Sequence, residues 1–191
     1  MNSFLFSTPI ETLDYIGNHP DLSFVIFAGI SLIQSLSTTA PDNVILCSTS
    51  GEFSPKGYKD NVITGFSYNS EIAEIVEIMY PPAKSLQQLK KSYEKVKNNP
   101  NAFTLLLCDG LAAMEESIIT TFYFADPNFK IIGGSAGDNL KFEKTLIYIG
   151  KKEVHSVAIF FDMKKRTQLI KENIYIPSGK KLLVTDADPI K

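Results

Sequence analysis

Apolar residues recur along this chain at two spacings, and their alternation sketches a fold before any motif is considered. Residues 24–28 (Phe-Val-Ile-Phe-Ala) and 44–47 (Val-Ile-Leu-Cys) are short unbroken apolar runs, the pattern of strands buried on both faces. Between them, residues 31–37 place Leu32, Ile33 and Leu36 on one helical face. This makes a β-α-β unit, whose strands should be parallel by the right-handed crossover rule. Ahead of it, residues 8–17 predict a short helix: Thr8 is a capping residue, Pro9 lies in the first turn, and Ile10, Leu13 and Ile16 keep helical spacing.

The same pattern returns about eighty residues later. Residues 103–107 match 24–28, residues 112–124 match the crossover helix, residues 130–132 match 44–46, and Gly29 and Gly110 each stand just past a first strand. Downstream, residues 61–68 and 156–162 predict strands, the second reached by a hairpin turning at Gly150 and Lys151 after a strand at 145–149. Residues 72–80 and 168–176, each followed by proline, form a further pair. Ile72, Ile75, Val76 and Met79 suit helix or strand, and the pairing favours strand. Residues 83–97 carry Leu86, Leu89, Tyr93 and Val96 on one face and lysines elsewhere, a surface helix bridging the halves. The expectation is one α/β domain with a mixed sheet, or sheets, built from two internally duplicated β-α-β-β-β units with flanking helices. The first would cover about residues 8–80 and the second about 102–185. The pattern leaves open whether they share a sheet.

Composition narrows the function more than the fold. A chain of 191 residues with 44% hydrophobic content can bury its core without staples. Its net charge of −2, with basic and acidic residues interspersed, lacks the footprint of a nucleic-acid binder. The two cysteines, Cys47 and Cys108, each close an apolar run, as suits reduced buried thiols. Two cysteines and two histidines at scattered spacings do not make a zinc site, so no metal is expected. The first ten residues lack the features of a signal peptide, and no apolar run is long enough to span a bilayer. A cytoplasmic location is expected, with any membrane link supplied by a partner.

The chemistry concentrates in one repeated string. Ile131-Ile-Gly-Gly-Ser-Ala-Gly-Asp138 echoes Ile45-Leu-Cys-Ser-Thr-Ser-Gly-Glu52: an apolar run, then small and hydroxyl residues, a glycine and a carboxylate. Such turns expose backbone N–H groups to a ligand. The expected crevice comprises Cys47, Ser48, Thr49, Ser50, Gly51 and Glu52 from one loop and Gly133, Gly134, Ser135, Ala136, Gly137 and Asp138 from the other. Cys108, Asp109 and Gly110, at the end of a neighbouring strand, would lie between or beside them. Glu52 and Asp138 either fix their own loops or face a shared cleft and pair with a ligand amine or a cation.

A catalytic alternative deserves weighing, because residues 133–137 satisfy the G-x-S-x-G pattern of a hydrolase elbow, with Ser135 as nucleophile and Cys108 as a thiol variant. Against it, no amphipathic helix follows Asp138, the other copy has Cys47 and Ser50 in place of Gly133 and Ala136, and only His19 and His155 are available as bases. No catalytic residue is therefore expected. Neither loop is a dinucleotide fingerprint, and a P-loop lysine is absent. A ligand-free protein interaction module is the remaining alternative.

At the level of these residues the chain resembles the N-terminal half of FIST domains, the F-box and intracellular signal transduction sensory modules. The matching pieces are Val44-Ile-Leu-Cys-Ser-Thr-Ser-Gly-Glu52, the strand at 61–66, Ile131-Ile-Gly-Gly-Ser-Ala-Gly-Asp138, Phe142 with Thr145, and Lys181-Leu-Leu-Val-Thr185. The resemblance implies a non-catalytic cytoplasmic sensor that binds a small molecule, with amino acids or related metabolites the ligands proposed for the family. It implies an output partner: a histidine kinase, a cyclic-dinucleotide enzyme or a chemoreceptor. Haem enters only through the resemblance, as the cofactor of some members; no other cofactor is expected. FIST proteins usually continue into a C-terminal half, so this sequence is expected to be either a fragment of a larger protein or a stand-alone half, with exposed apolar surface that a homodimer would cover.

Overall fold

The computed structural model describes residues 1–54, 57–170 and 175–186. Its first sheet joins β1 (Asn2–Phe6), β2 (Leu22–Ala28), β3 (Val44–Ser48), β6 (Ile63–Asn69), β10 (Ile147–Ile149) and β11 (Lys152–Val154) in the order β1-β6-β2-β3-β10-β11. The second joins β7 (Ala73–Glu77), β8 (Phe103–Cys108), β9 (Ile131–Ser135) and β12 (Ser156–Phe161) in the order β7-β12-β8-β9. A separate hairpin pairs β4 (Glu52–Ser54) with β5 (Gly57–Lys59). The expected α/β class with mixed sheets is what the chain adopts. The two β-α-β units are present too: β2 pairs parallel to β3, and β8 parallel to β9.

Period-two patterning explains how the sheets stack. Val25, Ile45 and Cys47 from the first sheet meet Leu105, Leu107, Val157, Ile159 and Phe161 from the second in one central cluster. The alternate residues Phe24, Ile26, Val44 and Leu46 turn outward under Ile16, Ile33 and Leu36 of α1 (Pro9–Gly17) and α2 (Ile30–Ser37). Leu106, Cys108, Ala158 and Phe160 turn outward under Leu89, Ile118 and Phe122 of α3 (Leu86–Val96) and α4 (Glu115–Ala125). The result is four layers, helices outside and sheets inside. At about 25 cal/mol per Å² of apolar surface, burial on both faces makes the central strands the main stabilising element.

α1 begins as its sequence dictates. Thr8 Oγ1 accepts from Glu11 N at 3.3 Å, Glu11 Oε2 accepts from Thr8 N at 3.2 Å, and Pro9 occupies the first turn. By contrast α4 starts at Glu115, three residues later than its periodicity predicts, because the chain first turns through Ala113 at φ +50°. Of the segment at 72–80, Ala73–Glu77 is the strand β7, the strand alternative of its expectation, and it pairs with β12. The turn at Gly150 and Lys151 joins β10 to β11 and does not lead directly to β12, correcting the expected hairpin. β10 pairs with β3 and β11 with β10 at the edge of the first sheet, whereas β12 belongs to the second. No strand occurs among the described residues of 168–176; residues 171–174 of that expectation lie outside the description. β1 and the β4–β5 hairpin are additions the periodicity did not yield.

Candidate functional site

The two echoing loops meet at a seam between the sheets. β9 ends in the second sheet and the chain then crosses to the first: Ala136 N donates to Cys108 O at 2.7 Å, and Gly137 N donates to Ser48 O at 2.9 Å. Ser48 is fully buried and completes the stitch, its Oγ donating to Gly137 O at 2.8 Å and accepting from Leu146 N at 2.9 Å. Thr49 N donates to Ala28 O at 3.0 Å, and Asn139 N to Ser50 Oγ at 2.9 Å. The backbone donors expected to face a ligand are thus largely consumed in joining the sheets, because buried strand ends must find partners. Cys47, Ser48, Ala136, Gly137 and Asp138 belong to this seam and line none of the cavities described below.

Beside the seam lies a cleft of about 530 Å³. Ser50, Gly51 and Glu52 form one wall; Tyr58, Asp60 and Asn61 approach from the hairpin side, Asn139 and Leu140 from beyond the second loop, and Gly29 from the start of α2. The Tyr58 hydroxyl is 3.0 Å from Ser50 O and 2.8 Å from Asp60 Oδ1, so its ring lies over Gly51. Gly51 holds φ +128°, and a Cβ there would fall 2.1 Å from the Tyr58 hydroxyl, so only glycine allows this cover.

Glu52 and Asp138 hold equivalent places in the sequence and opposite places in the hydrogen-bond ledger. Asp138 accepts from Lys141 N at 3.1 Å, Glu143 N at 2.7 Å and Lys144 N at 3.3 Å, and so pins a loop in which Asn139, Leu140 and Phe142 all have positive φ. Burial pushes its pKa up, but these N–H donors outweigh that and hold the carboxyl below the ordinary aspartate value. Glu52 is only 3% exposed; its Oε1 accepts from Thr49 Oγ1 at 2.5 Å, while its Oε2 is buried with no hydrogen-bond partner. Burial raises the Glu52 pKa, more than the Thr49 bond lowers it. A buried carboxylate oxygen without a donor is costly and calls for a functional account. Glu52 also borders a recess of about 330 Å³ behind the cleft, shared with Thr49, Phe27, Phe53 and Phe66.

The remaining candidates fall into two other places, so the single crevice expected from sequence is divided. Asp109 lines a pocket of about 400 Å³. Its Oδ1 accepts from Thr145 Oγ1 at 2.6 Å and Leu111 N at 3.0 Å, and its Oδ2 is 3.2 Å from His155 Nδ1. Burial opposes ionisation of Asp109, yet these three partners lower its pKa on balance. The His155 ring stacks on Tyr80 at 4.8 Å. Gly110 packs against Ala136, where a Cβ would lie 2.2 Å from Ala136 O. Cys108, Gly133, Gly134 and Ser135 line a groove of about 290 Å³ with Ile119, Ile131 and Ile132.

Nothing in that groove equips Ser135 or Cys108 as an activated nucleophile. Ser135 Oγ donates to Glu115 Oε1 at 2.8 Å, whereas His155 is held by Asp109 and His19 Nδ1 lies 2.8 Å from Tyr15 O. Burial, then the nearby Glu115 charge, pushes the Cys108 thiol up to about 11, and burial, then Cys108, pushes Cys47 up to about 12. The described residues do not fit haem either. His155 is the exposed imidazole at a cavity, but Asp109, Glu143 and Glu153 wall that cavity with carboxylates where a porphyrin needs apolar faces.

Spacing along the chain concealed Tyr58, Asp60, Asn139 and Leu140, and the pairing of Asp109 with His155. A signal for the first did exist: Ser54-Pro-Lys-Gly57 is turn composition, and a hairpin there would have carried Tyr58 back toward Gly51.

The fold is a layered α/β domain with a cleft beside the carboxyl ends of β2 and β3 and, bordering it, a buried carboxylate oxygen without a hydrogen-bond partner. The chain belongs to the FIST N domain family, which it matches over residues 23–189. FIST is a family of sensory domains in signal transduction. The chain matches no curated protein. Among the described residues no helix is long and apolar enough to cross a membrane.

Proposed function

We propose that this domain is a small-molecule-binding sensory module, not an enzyme, and that its ligand occupies the cleft between Ser50–Glu52 and Asn139–Leu140. The observation carrying this reading is the unpaired, buried Oε2 of Glu52 beside a cavity of about 530 Å³. A small amine-bearing compound, an amino acid or related metabolite, has the size and the donor that this arrangement lacks. Ligand contact with both Gly51 and Asn139 would bear on the seam through Ser50, whose Oγ already accepts from Asn139 N. That is the route by which binding would reach an output partner such as a histidine kinase, a cyclic-dinucleotide enzyme or a chemoreceptor in the cytoplasm. Homodimerisation would cover Ile119 and Ile132, both exposed beside the same groove.

The test is a thermal-shift screen of amino acids and small metabolites against wild type and Gly29→Leu. A Cβ at Gly29 meets nothing within 4 Å, so leucine there fills the cleft without straining the fold. A stabilising compound should lose its effect in the variant. Equal stabilisation of both proteins would place the ligand elsewhere.

A further inference from the structure

Resting on that reading of the cleft, we infer that Glu52 is the anchor for the protonated amine of a ligand with an apolar body, and that a free carboxylate on the same ligand weakens binding. Three observations converge. Glu52 Oε2 is buried and unpaired, which a cationic donor would correct. Among the described residues, the only charged side chains lining the cleft are Glu52 and Asp60, both acidic, and none of those residues is a lysine or arginine that could receive a carboxylate. Glu52 also stands at the boundary between this polar cleft and the recess formed with Phe27, Phe53 and Phe66. An amine head on Glu52 therefore directs an attached alkyl or aryl group toward three phenylalanines.

The geometry separates Glu52 from its sequence counterpart. Asp138 spends both oxygens on its own loop and has nothing left to offer a ligand, whereas Glu52 receives one internal hydrogen bond and keeps one oxygen. Tyr58 adds an aromatic wall at the cleft, a surface that favours an ammonium group over a neutral or anionic one. A simple inorganic cation satisfies the same charge but not the apolar recess. Amines and metal ions are therefore distinguished by their dependence on the hydrocarbon part.

The experiment is calorimetric titration of the whole chain with matched probes: phenethylamine and isoamylamine, the parent amino acids phenylalanine and leucine, 2-phenylethanol, and potassium, magnesium or calcium chloride alone. The two amines should bind, with the amino acids at least about tenfold weaker and the alcohol and salts showing no heat of binding. Glu52→Gln, confirmed as folded by circular dichroism, should weaken the amines by about thirtyfold or more. Wild type alone supplies a second measure: because burial raises the Glu52 pKa above the ordinary 4.5, titrations at pH 4.5 in buffers of different ionisation enthalpy should report proton release as the ammonium displaces a proton from Glu52. Amino acids binding as tightly as their amines, undiminished affinity in Glu52→Gln, or silence from both amines would each overturn the inference. If a non-amine compound then proves sensitive to Gly29→Leu, the cleft remains the ligand site and only its proposed chemistry falls. If no compound in the wider screen binds at all, both readings fall together.

Discussion

Ser48 and Gly137 exchange two hydrogen bonds across 89 residues of chain, Ser48 Oγ to Gly137 O at 2.8 Å and Gly137 N to Ser48 O at 2.9 Å. This pair fastens the end of β3 in one sheet to the segment leaving β9 in the other. Ser48 Oγ also receives Leu146 N, so one hydroxyl serves three strand ends. Ser48→Ala should therefore leave Leu146 N and Gly137 O without this partner in a buried site, at a cost of about 1–3 kcal/mol. Urea denaturation is expected to show a lower midpoint with an unchanged slope.

Two adjacent glycines should behave oppositely. Gly133 holds φ +153°, and a Cβ there would lie 1.8 Å from Leu106 O; at Gly134 a Cβ meets nothing within 4 Å. Gly133→Ala is expected to destabilise by about 1–3 kcal/mol through backbone displacement. Gly134→Ala should stay within about 0.5 kcal/mol of wild type. Thermal melts of the two variants side by side check this, and similar losses in both would contradict the tight approach of β9 to β8.

The carboxylates give stability opposite dependences on pH. Asp109 and Asp138 have folded pKa values below the ordinary 3.8, so their contribution is present above that value and is lost as pH falls through the folded pKa. Glu52 is raised above 4.5, so its contribution is present below 4.5 and is lost as pH rises through its folded pKa. Without ligand, Glu52→Gln should accordingly melt higher than wild type at pH 7, with the gain vanishing near pH 4. An improvement of stability by removal of a binding charge is the signature expected of a functional site. A variant that melts lower at pH 7 would mean that Glu52 has a structural partner.

Both thiols should resist chemistry in the folded protein. With Cys47 pushed up to about 12 and Cys108 to about 11, iodoacetamide at pH 8 should label neither until denaturant is added. A serine-directed acylating probe should likewise leave Ser135 unmodified, since its hydroxyl donates to Glu115 without a histidine base. Rapid labelling of Cys108 or Ser135 would revive the catalytic alternative.

What the sequence disclosed was local. The runs at 24–28, 44–47 and 103–107 became β2, β3 and β8 because strands buried on both faces need unbroken apolar residues, and the helices over Ile33, Leu36 and Leu89 kept their apolar stripes. The segment at 2–6 carries no strand signal of its own, because Ser3-Phe-Leu-Phe6 is short and stands ahead of any turn signal; it is a strand by virtue of pairing with β6, about sixty residues on. Similarly, the echo of residues 45–52 in 131–138 was readable, but its consequence was not. Equal composition put Glu52 and Asp138 at equal positions, and only the neighbours, Thr49 for one and three backbone N–H groups for the other, made one carboxylate available and the other not. The Asp109–His155 pairing lies 46 residues apart and depends on β8 and β12 being neighbours, which no spacing rule conveys.

The placement of β10 on β3 also bears on how the chain is made. β3 pairs with β2 early, but its other edge, Ile45–Cys47, waits for Ile147–Ile149, about one hundred residues later in synthesis. A nascent chain emerging from the ribosome therefore carries an open apolar strand edge until those hundred or so residues have been made, the kind of surface that recruits chaperones or mispairs. β12, which joins β7 to β8 in the second sheet, follows directly after β11 in the first, so the two sheets are completed together.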